Sequence, residues 1–230
     1  MLSRLIRLPL RLIPKRAVLP VLSGPLRGRR WIAGAATHGC WLGTYERDAQ
    51  RVFARCLRPG DVVYDVGANA GFFTLLAAKL AKEVYAFEPL PRNLEYLREH
   101  VRRNAAANVH VLPLAVSDRA GTARFAAAEN PAMGGLSASG GIEVETTTLD
   151  ALRATLPAPS FIKMDIEGGE YAALTGAARV LREDRPLLLL SAHGYEQHER
   201  CGELLREHGY ELEALVDGAV DGNYVVLAKP

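Results

Sequence analysis

The sequence predicts a doubly wound α/β fold, in which a mostly parallel β-sheet carries helices on both faces. From Gly60 onward, short apolar runs alternate with helical patterns, which is typical of repeated βα units. The run 187–191 is almost entirely apolar, as expected of a strand covered on both faces. The first apolar run after Gly60 ends in a glycine-bearing turn that leads into a helix. With 230 residues, the chain has room for one such domain rather than two.

The predicted elements follow one another in the order that this fold requires. Apolar and alternating runs predict strands at residues 62–66, 84–87, 109–116, 161–166, 187–191, 211–216 and 224–228, with extra strands at 122–125 and 142–148. Helical periodicity predicts helices at residues 44–57, 72–81, 91–107 and 197–208, and one more after residue 166 that runs to about residue 181. We expect Thr44 to cap the first of these helices, because its hydroxyl can accept a hydrogen bond from a free N–H group.

Charge divides the chain into two parts. Of the 28 Lys and Arg residues, eight precede the first acidic residue, Glu46, and the other 20 are set against 26 Asp and Glu residues. We therefore distinguish a basic N-terminal extension, residues 1–43, from a main domain, residues 44–230. The acidic balance of the main domain argues against a nucleic-acid partner. A cytoplasmic location is expected, because we find no signal peptide, no membrane span and no CxxC motif.

The leader, residues 1–16, leaves two interpretations open. Arg4, Arg7 and Arg11 recur at near-helical spacing among apolar residues, a pattern that can lie flat on an anionic membrane surface. Pro9 interrupts this pattern, because it removes a helical hydrogen bond. The leader is therefore either a peripheral membrane contact, at the inner face of the membrane, or a locally packed terminus.

A turn with two glycines joins the first strand of the main domain to its helix. Gly67 and Gly71 permit a sharp bend and the close approach of a ligand, because neither residue has a Cβ. Asn69 stands where the dinucleotide pattern G-x-G-x-x-G has its second glycine, and no P-loop Lys follows, so a pyrophosphate is not the expected ligand. The carboxylate of Asp65, at the start of this turn, suits the ammonium of an amino-acid group.

Glu88 closes the next strand, about twenty residues beyond the glycine turn. An acidic side chain at this place in a nucleoside-binding α/β fold can accept hydrogen bonds from both hydroxyls of a ribose. The alternative is a solvated carboxylate at the end of a strand. The two features occur in the right order and at the right separation, so together they predict a ligand with a nucleoside part and an amino-acid part.

Three segments resemble the motifs of the FkbM family of methyltransferases: Asp65–Gly71, Phe87–Pro89 and Phe161–Glu170, the last with the sequence FIKMDIEGGE. Residues 43–46 also match the segment that precedes the family's first strand, and the resemblance covers about residues 41–192. It implies a class I methyltransferase (Rossmann-like) fold with a seven-stranded sheet whose final strand is antiparallel. It also implies S-adenosyl-L-methionine as methyl donor and O-methylation of a hydroxyl on a sugar, glycolipid or natural product.

The resemblance further implies which residues hold S-adenosyl-L-methionine. Glu88 binds the ribose, and Ala115 flanks the adenine. The methionyl part contacts four residues of the glycine turn: Asp65, Gly67, Asn69 and Gly71. One position departs from the family pattern, because Ser191 stands where the family often has Glu, two residues before His193.

Asp165, Glu167 and His193 close two neighbouring predicted strands and form the candidate catalytic group. Adjacent parallel strands lie ~4.8 Å apart, so these side chains can converge where an acceptor hydroxyl must sit. His193 is the more natural base, because its ordinary pKa lies near neutrality; Asp165 remains an alternative, and a carboxylate can instead orient the base or bind the acceptor. Alternatively, the two acids only stabilise the N-terminus of the next helix, as a cap or as first-turn charges that its dipole favours.

Two features near this group have more than one interpretation. A divalent metal bound by Asp165, Glu167 and His193 is chemically reasonable. The sequence offers no fourth ligand at a spacing typical of metal sites, so we predict no metal. The glycine-rich segment 129–141 is either a lid over the acceptor or a surface hairpin.

Two other classes of function remain as alternatives. A nicotinamide-dependent oxidoreductase uses a related fold, although Asn69 in place of the second glycine argues against it. A catalytically silent nucleoside-binding module, attached to a membrane surface through the basic leader, would keep the fold without the reaction. The sequence does not indicate an oligomeric state, and the expected partner is a small-molecule or glycan acceptor.

Overall fold

The computed structural model describes residues 12–126, 135–136, 141–215 and 223–230. The strands are β1 (Val18–Pro20), β2 (Arg30–Ile32), β3 (Val62–Val66), β4 (Glu83–Phe87), β5 (Val109–Leu112), β6 (Ala115–Val116), β7 (Gly121–Ala126), β8 (Gly135–Leu136), β9 (Ile142–Thr147), β10 (Phe161–Met164), β11 (Leu187–His193), β12 (Glu211–Ala214) and β13 (Asn223–Lys229). The helices are α1 (His38–Leu42), α2 (Arg47–Cys56), α3 (Phe72–Leu80), α4 (Pro91–Arg103), α5 (Leu149–Leu152), α6 (Glu170–Thr175) and α7 (Tyr195–Glu207). A π-helical turn, Val180–Asp184, follows α6.

Seven strands form the main sheet, in the order β12-β13-β11-β10-β3-β4-β5. The five strands from β11 to β5 are parallel to one another, whereas β13 is antiparallel to both β11 and β12. The predicted mostly parallel, seven-stranded sheet with an antiparallel final strand is confirmed. The carboxyl ends of β3, β4, β10 and β11 therefore meet at one edge.

Helices cover both faces of this sheet, as predicted. Val63 of β3 packs in one hydrophobic cluster with Phe53 of α2 and Phe73 of α3. The next residue, Tyr64, packs in a second cluster with Leu174 of α6. Successive side chains of a strand point to opposite faces, so an apolar strand such as β3 needs helices on both sides.

A second sheet holds four of the described strands, in the order β6-β9-β7-β8. The strands expected at 122–125 and 142–148 correspond to β7 and β9 of this sheet. The single strand expected at 109–116 is instead two strands, because Pro113 lacks an N–H group and cannot continue the ladder. Therefore β5 stays in the main sheet, while β6 joins the second one.

The N-terminal segment packs against the main domain. Strands β1 and β2 form a small antiparallel sheet. Trp31 of β2 is fully buried and stacks on the ring of His100 in α4, with 4.0 Å between the ring centroids. The Ile32 N–H donates to Nε2 of His100 at 2.9 Å. The N-terminal segment is thus packed on the main domain, and the boundary expected at residue 43 stays a prediction.

Two predicted helices differ from the observed ones. Helix α2 begins at Arg47, and its N-cap is Glu46, in a left-handed conformation; Thr44 makes no capping hydrogen bond. The long helix expected up to residue 181 is interrupted, since α6 ends at Thr175 and a π-helical turn follows. Among the described residues, no helix combines the length and the apolar character that a bilayer span requires.

Candidate functional site

The described residues enclose a cavity of about 320 Å³ at the carboxyl ends of β3, β4, β10 and β11. Open α/β sheets bind their ligands at this edge, and the volume is at the lower end of the range of small-molecule sites. The glycine turn and Glu88 line one part of the cavity, while Asp165, Glu167 and His193 line another. The fold therefore places the two predicted groups of residues in a single cleft.

The glycine turn has the backbone geometry that its sequence predicts. Gly67 and Gly71 have φ angles of 82° and 94°, which L side chains rarely adopt. A Cβ on Gly67 would overlap the carbonyl oxygen of Asp165. The N–H groups of Gly67 and Ala68 both donate to the carbonyl oxygen of Phe87, at 3.0 and 2.9 Å. The turn is thus held between the ends of β4 and β10. Its residues 67–70 line the cavity, whereas Gly71 lies against Leu97 and does not.

Glu88 is almost completely buried and faces the cavity. Its Oε2 accepts the N–H of Asn69 at 2.9 Å, and its Oε1 accepts the N–H of Leu90 at 2.8 Å. Burial raises the pKa of this carboxyl to about 7, against the effect of the two backbone donors. Each carboxylate oxygen keeps a further lone pair, so the oriented group can still accept a hydrogen bond from a ligand hydroxyl.

Asp65 is placed differently from the expectation. It is fully buried and is not part of the cavity lining. Its Oδ2 accepts a hydrogen bond from the hydroxyl of Thr74, and its Oδ1 lies 3.9 Å from Nζ of Lys163 without a hydrogen-bond partner among the described residues. Burial raises the pKa of this carboxyl. In this structure the carboxylate of Asp65 supports the cavity wall from behind, and its expected role in binding the methionyl part stays a prediction.

Asp165, Glu167 and His193 converge at the ends of β10 and β11. Nε2 of His193 lies 3.5 Å from Oδ1 of Asp165 and 3.3 Å from Oε2 of Glu167. Glu167 has a φ angle of 56°, so its backbone is held in a sparsely populated conformation. The N-cap of α6 is Gly169, with no side-chain capping bond. Asp165 therefore does not cap this helix, and its carboxylate is directed at the cavity.

The electrostatics of this cluster favour the retention of protons. Burial lowers the pKa of His193, but a hydrogen bond to Glu170 and the nearby carboxylates outweigh that effect and raise it. Partial burial raises the pKa of Glu167, as does the charge of Asp165, against the effect of His193. A carboxyl and an imidazole whose pKa values are both raised are suited to proton transfer.

The same three side chains offer metal-ligating atoms within 4.8 Å of one another. That spacing fits either a bridging cation or shared protons. Nζ of Lys163 already lies 3.2 Å from Oδ2 of Asp165 and supplies positive charge there. The expected absence of a metal stays a prediction.

Sequence reasoning missed Lys163, Glu46 and Glu170 as parts of the site. Lys163 and Glu46 line the cavity, and Glu170 lies behind His193. Lys163 and Glu170 belong to the segment FIKMDIEGGE, and the alternation of β10 places residues 163 and 165 on the same side. Glu46 belongs to the matched segment 43–46. All three residues thus lie in segments that match the family motifs, but only the fold shows that they belong to the site.

The N-terminal segment forms another wall of the cavity. Trp31, Thr37, Cys40 and Tyr45 all line it. His100 connects this wall to the glycine turn, because its Nε2 accepts the Ile32 N–H while its Nδ1 donates to the carbonyl oxygen of Ala70 at 2.6 Å. No local sequence signal indicates this contribution, since it depends on contacts between segments far apart in the chain.

Three further predictions concern the remaining walls. Ala115 of β6 lines the cavity, as do its neighbours Leu114 and Val116. Ser191, which replaces the family's usual Glu, also lines the cavity. The suggested lid, residues 129–141, lies outside the described residues except for positions 135, 136 and 141, as does most of the basic leader.

A family model for the Methyltransferase FkbM domain matches residues 65–212. A 31-O-demethyl-FK506 methyltransferase, FkbM, from Streptomyces tacrolimicus is 31% identical over 213 residues, which cover 74% of this chain and 80% of that protein. A hexuronic acid methyltransferase, AglP, from Haloferax volcanii is 30% identical over 141 residues, which cover 60% of this chain and 58% of that protein.

The crystal structure of a methyltransferase FkbM from Methylobacillus flagellatus KT has a similar fold. It superposes with a TM-score of 0.58 and 21% identity, over 80% of this chain and 46% of that one. The chain thus spans less than two thirds of the length of this protein and of the Haloferax relative. At this identity the structural likeness supports the fold alone.

Proposed function

The chain belongs to the FkbM methyltransferase family, and on that premise we propose that it transfers a methyl group from S-adenosyl-L-methionine to a hydroxyl of a sugar, glycolipid or natural-product acceptor. The observation that carries this proposal is one cavity with two unlike ends. Glu88 and the small residues of the glycine turn line one end, and the His193 cluster lines the other. A donor bound at the first end would direct its methyl group to a hydroxyl at the second.

The residues at the first end fit S-adenosyl-L-methionine. Glu88 offers carboxylate oxygens for ribose hydroxyls, and apolar side chains beside Ala115 can flank an adenine ring. Gly67 and Asn69 leave room for the methionyl part along the turn. Asp65 acts from behind, through Thr74 and Lys163. The bound donor would supply an electrophilic methyl group on a sulfonium.

The residues at the second end can position an acceptor and remove its proton. His193 is our proposed base, because Nε2 faces the cavity. Asp165 and Glu167 can accept hydrogen bonds from hydroxyls of the acceptor, which orients the attacking oxygen toward the donor. A positioned base contributes about 10²–10⁴-fold to such a reaction. Asp165 is less suited as base, since it is engaged by the ammonium of Lys163.

A transfer assay tests this function. Purified protein is incubated with methyl-labelled S-adenosyl-L-methionine and a panel of glycosides, glycolipids and extracts, and labelled products are identified by mass. We expect a gain of one methyl group on a hydroxyl, and we expect His193→Asn to reduce the rate at least about 100-fold. Two controls are included: Glu203→Gln, at an exposed position on α7, and NADH in place of the labelled donor. Binding of the donor without any labelled product would favour a catalytically silent module instead.

A further inference from the structure

Glu170 is a fully buried acid that the proposed reaction has not yet used. Its Oε1 lies 2.7 Å from Nδ1 of His193, on the side of the imidazole opposite to the atom that faces the cavity. The same oxygen accepts the N–H groups of Ile166 and Gly168, at 3.2 and 3.1 Å. Glu170 therefore connects the turn after β10 to the end of β11.

These contacts define which nitrogen of His193 carries a proton. The two backbone N–H groups can only donate, so Oε1 is an acceptor and Nδ1 must donate to it. In the neutral imidazole, Nε2 then carries the lone pair. That lone pair is directed at the cavity, next to Glu167 and Asp165.

We propose that Glu170 is the positioning residue of His193: it fixes the Nδ1–H tautomer and stabilises the imidazolium that forms when Nε2 takes the proton of the acceptor hydroxyl. This inference rests on the proposed function. The O–H bond of the acceptor breaks and its proton binds Nε2. The oxygen forms a bond to the methyl carbon as the C–S bond of the donor breaks, and that electron pair stays on sulfur. Glu167, at the cavity wall, can then pass the proton to water.

The charge of Glu170 is suited to this role because it acts at short range in a buried place. Four carboxylates surround His193: Glu170 behind it, Asp165 and Glu167 beside Nε2, and Glu46 on the segment before α2. One cation, Lys163, is present on β10 and is engaged by Asp165. Among the described residues, Glu170 alone contacts Nδ1, so its removal changes the tautomer and the basicity without opening the acceptor end.

Nitrogen-15 NMR of histidine-labelled protein tests the tautomer without donor or acceptor. The full chain contains six His residues, and comparison with His193→Asn assigns the signal of His193. We expect the neutral ring to be protonated at Nδ1 and free at Nε2. A neutral ring protonated at Nε2 in the wild type would overturn the proposal; the variant His193→Asn serves only to assign the signal.

The variant Glu170→Gln tests the charge, since its amide oxygen can still accept from Nδ1. An opposite charge at this distance shifts a pKa by about 1–3 units, so we expect the pKa of His193 to fall by at least about one unit in Glu170→Gln. The matched control, Glu203→Gln on α7, leaves it unchanged. An unchanged pKa of His193 in folded Glu170→Gln would contradict the proposal.

The role in the reaction is separated from a purely structural one by kinetics. With an acceptor from the transfer assay, Glu170→Gln is expected to lower kcat by about 10- to 100-fold while KM for the donor stays constant. The acid limb of the kcat profile should move to lower pH, because the base loses the charge that favours its protonated form. A fall in kcat with an unmoved acid limb would assign Glu170 a structural role only. Failure of methyl transfer in the wild type would leave the NMR result standing, so the two proposals fail separately.

Discussion

Nζ of Lys163 lies 3.2 Å from Oδ2 of Asp165, and both side chains are largely removed from water. Burial alone would lower the pKa of Lys163, but the carboxylates of Asp165, Asp65 and Glu46 outweigh it and raise the pKa. The ammonium is therefore charged at neutral pH. It lies between Asp165, at the end of β10, and Asp65, within β3. Lys163 therefore links the acceptor end of the cavity to the carboxylate behind the glycine turn.

We predict that Lys163→Met strongly destabilises the protein. The substitution keeps the volume of the side chain but leaves Asp65 and Asp165 without their cation, and loss of one partner of a buried pair costs about 3–5 kcal/mol. Denaturant titration gives the free energy of unfolding. The exposed residue Lys82 provides the control Lys82→Met, for which we expect a change below about 1 kcal/mol. Equal effects of the two substitutions would show that the buried pair contributes nothing.

His100 should make the protein sensitive to acid. Burial lowers the pKa of His100 to about 4, and protonation of Nε2 would break the hydrogen bond from Ile32. The unfolded chain binds this proton near pH 6.5, whereas the folded chain does not until about pH 4. The stability is thus fully present above pH 6.5 and is lost as the pH falls toward 4, by up to about 3 kcal/mol.

The variant His100→Phe tests the acid sensitivity. Phe keeps the stacking on Trp31 but leaves the Ile32 N–H and the Ala70 carbonyl without their side-chain partner, so we expect lower stability at pH 7. The loss of stability between pH 6.5 and 4 should be smaller in the variant than in the wild type. Denaturant unfolding curves measured across this pH range test the prediction. An equal loss of unfolding free energy in the two proteins would show that His100 is not the source of the acid sensitivity.

Glu88 should make the binding of the donor dependent on pH. The pKa of its carboxyl is about 7, and the ionised form is the better acceptor for ribose hydroxyls. We expect the affinity for S-adenosyl-L-methionine to weaken as the pH falls below 7, by up to about tenfold per unit. Glu88→Gln should bind about 10- to 100-fold more weakly and without this pH dependence. Glu211→Gln, on the edge strand β12, is the control and should match the wild type in calorimetric titration.

The acceptor end of the cavity should disfavour negative charge. Glu46, Asp165 and Glu167 line it, and the basic residues among the described lining, Lys163 and His193, are both engaged by carboxylates. Residues 126–141 contain no Lys, Arg or His. We predict that an uncharged hexoside is methylated with at least about tenfold higher kcat/KM than the matching hexuronoside. The ratio should shrink in Glu167→Gln, and a preference for the hexuronoside would contradict the prediction.

The sequence indicates those parts of the site that follow from strand order. Glu88, Asp165 and His193 each close a strand, and the ends of parallel strands meet at one edge, so their approach could be predicted. The break of the strand 109–116 was missed, although Pro113 gives its physical reason. The inward direction of the Asp65 carboxylate could not be predicted, because its neighbours Thr74 and Lys163 come from other elements.

Other parts of the site depend on packing between distant segments. The wall formed by Trp31 and Cys40 exists because β2 is fixed to α4 through Ile32 and His100, 68 positions apart. No local periodicity carries that information. Glu170 shows the same limit: a first-turn acid normally suggests a favourable charge at a helix N-terminus, and only the fold reveals that its Oε1 lies behind the His193 ring.

We propose that the cavity lined by the glycine turn and Glu88 binds S-adenosyl-L-methionine. Calorimetric titration of the wild-type protein with this compound, and with NADH in a parallel experiment, tests it most directly. We predict a saturable one-site isotherm for S-adenosyl-L-methionine and none for NADH. Saturable binding of NADH, with no heat from S-adenosyl-L-methionine at millimolar concentration, would rule out this assignment of the cavity.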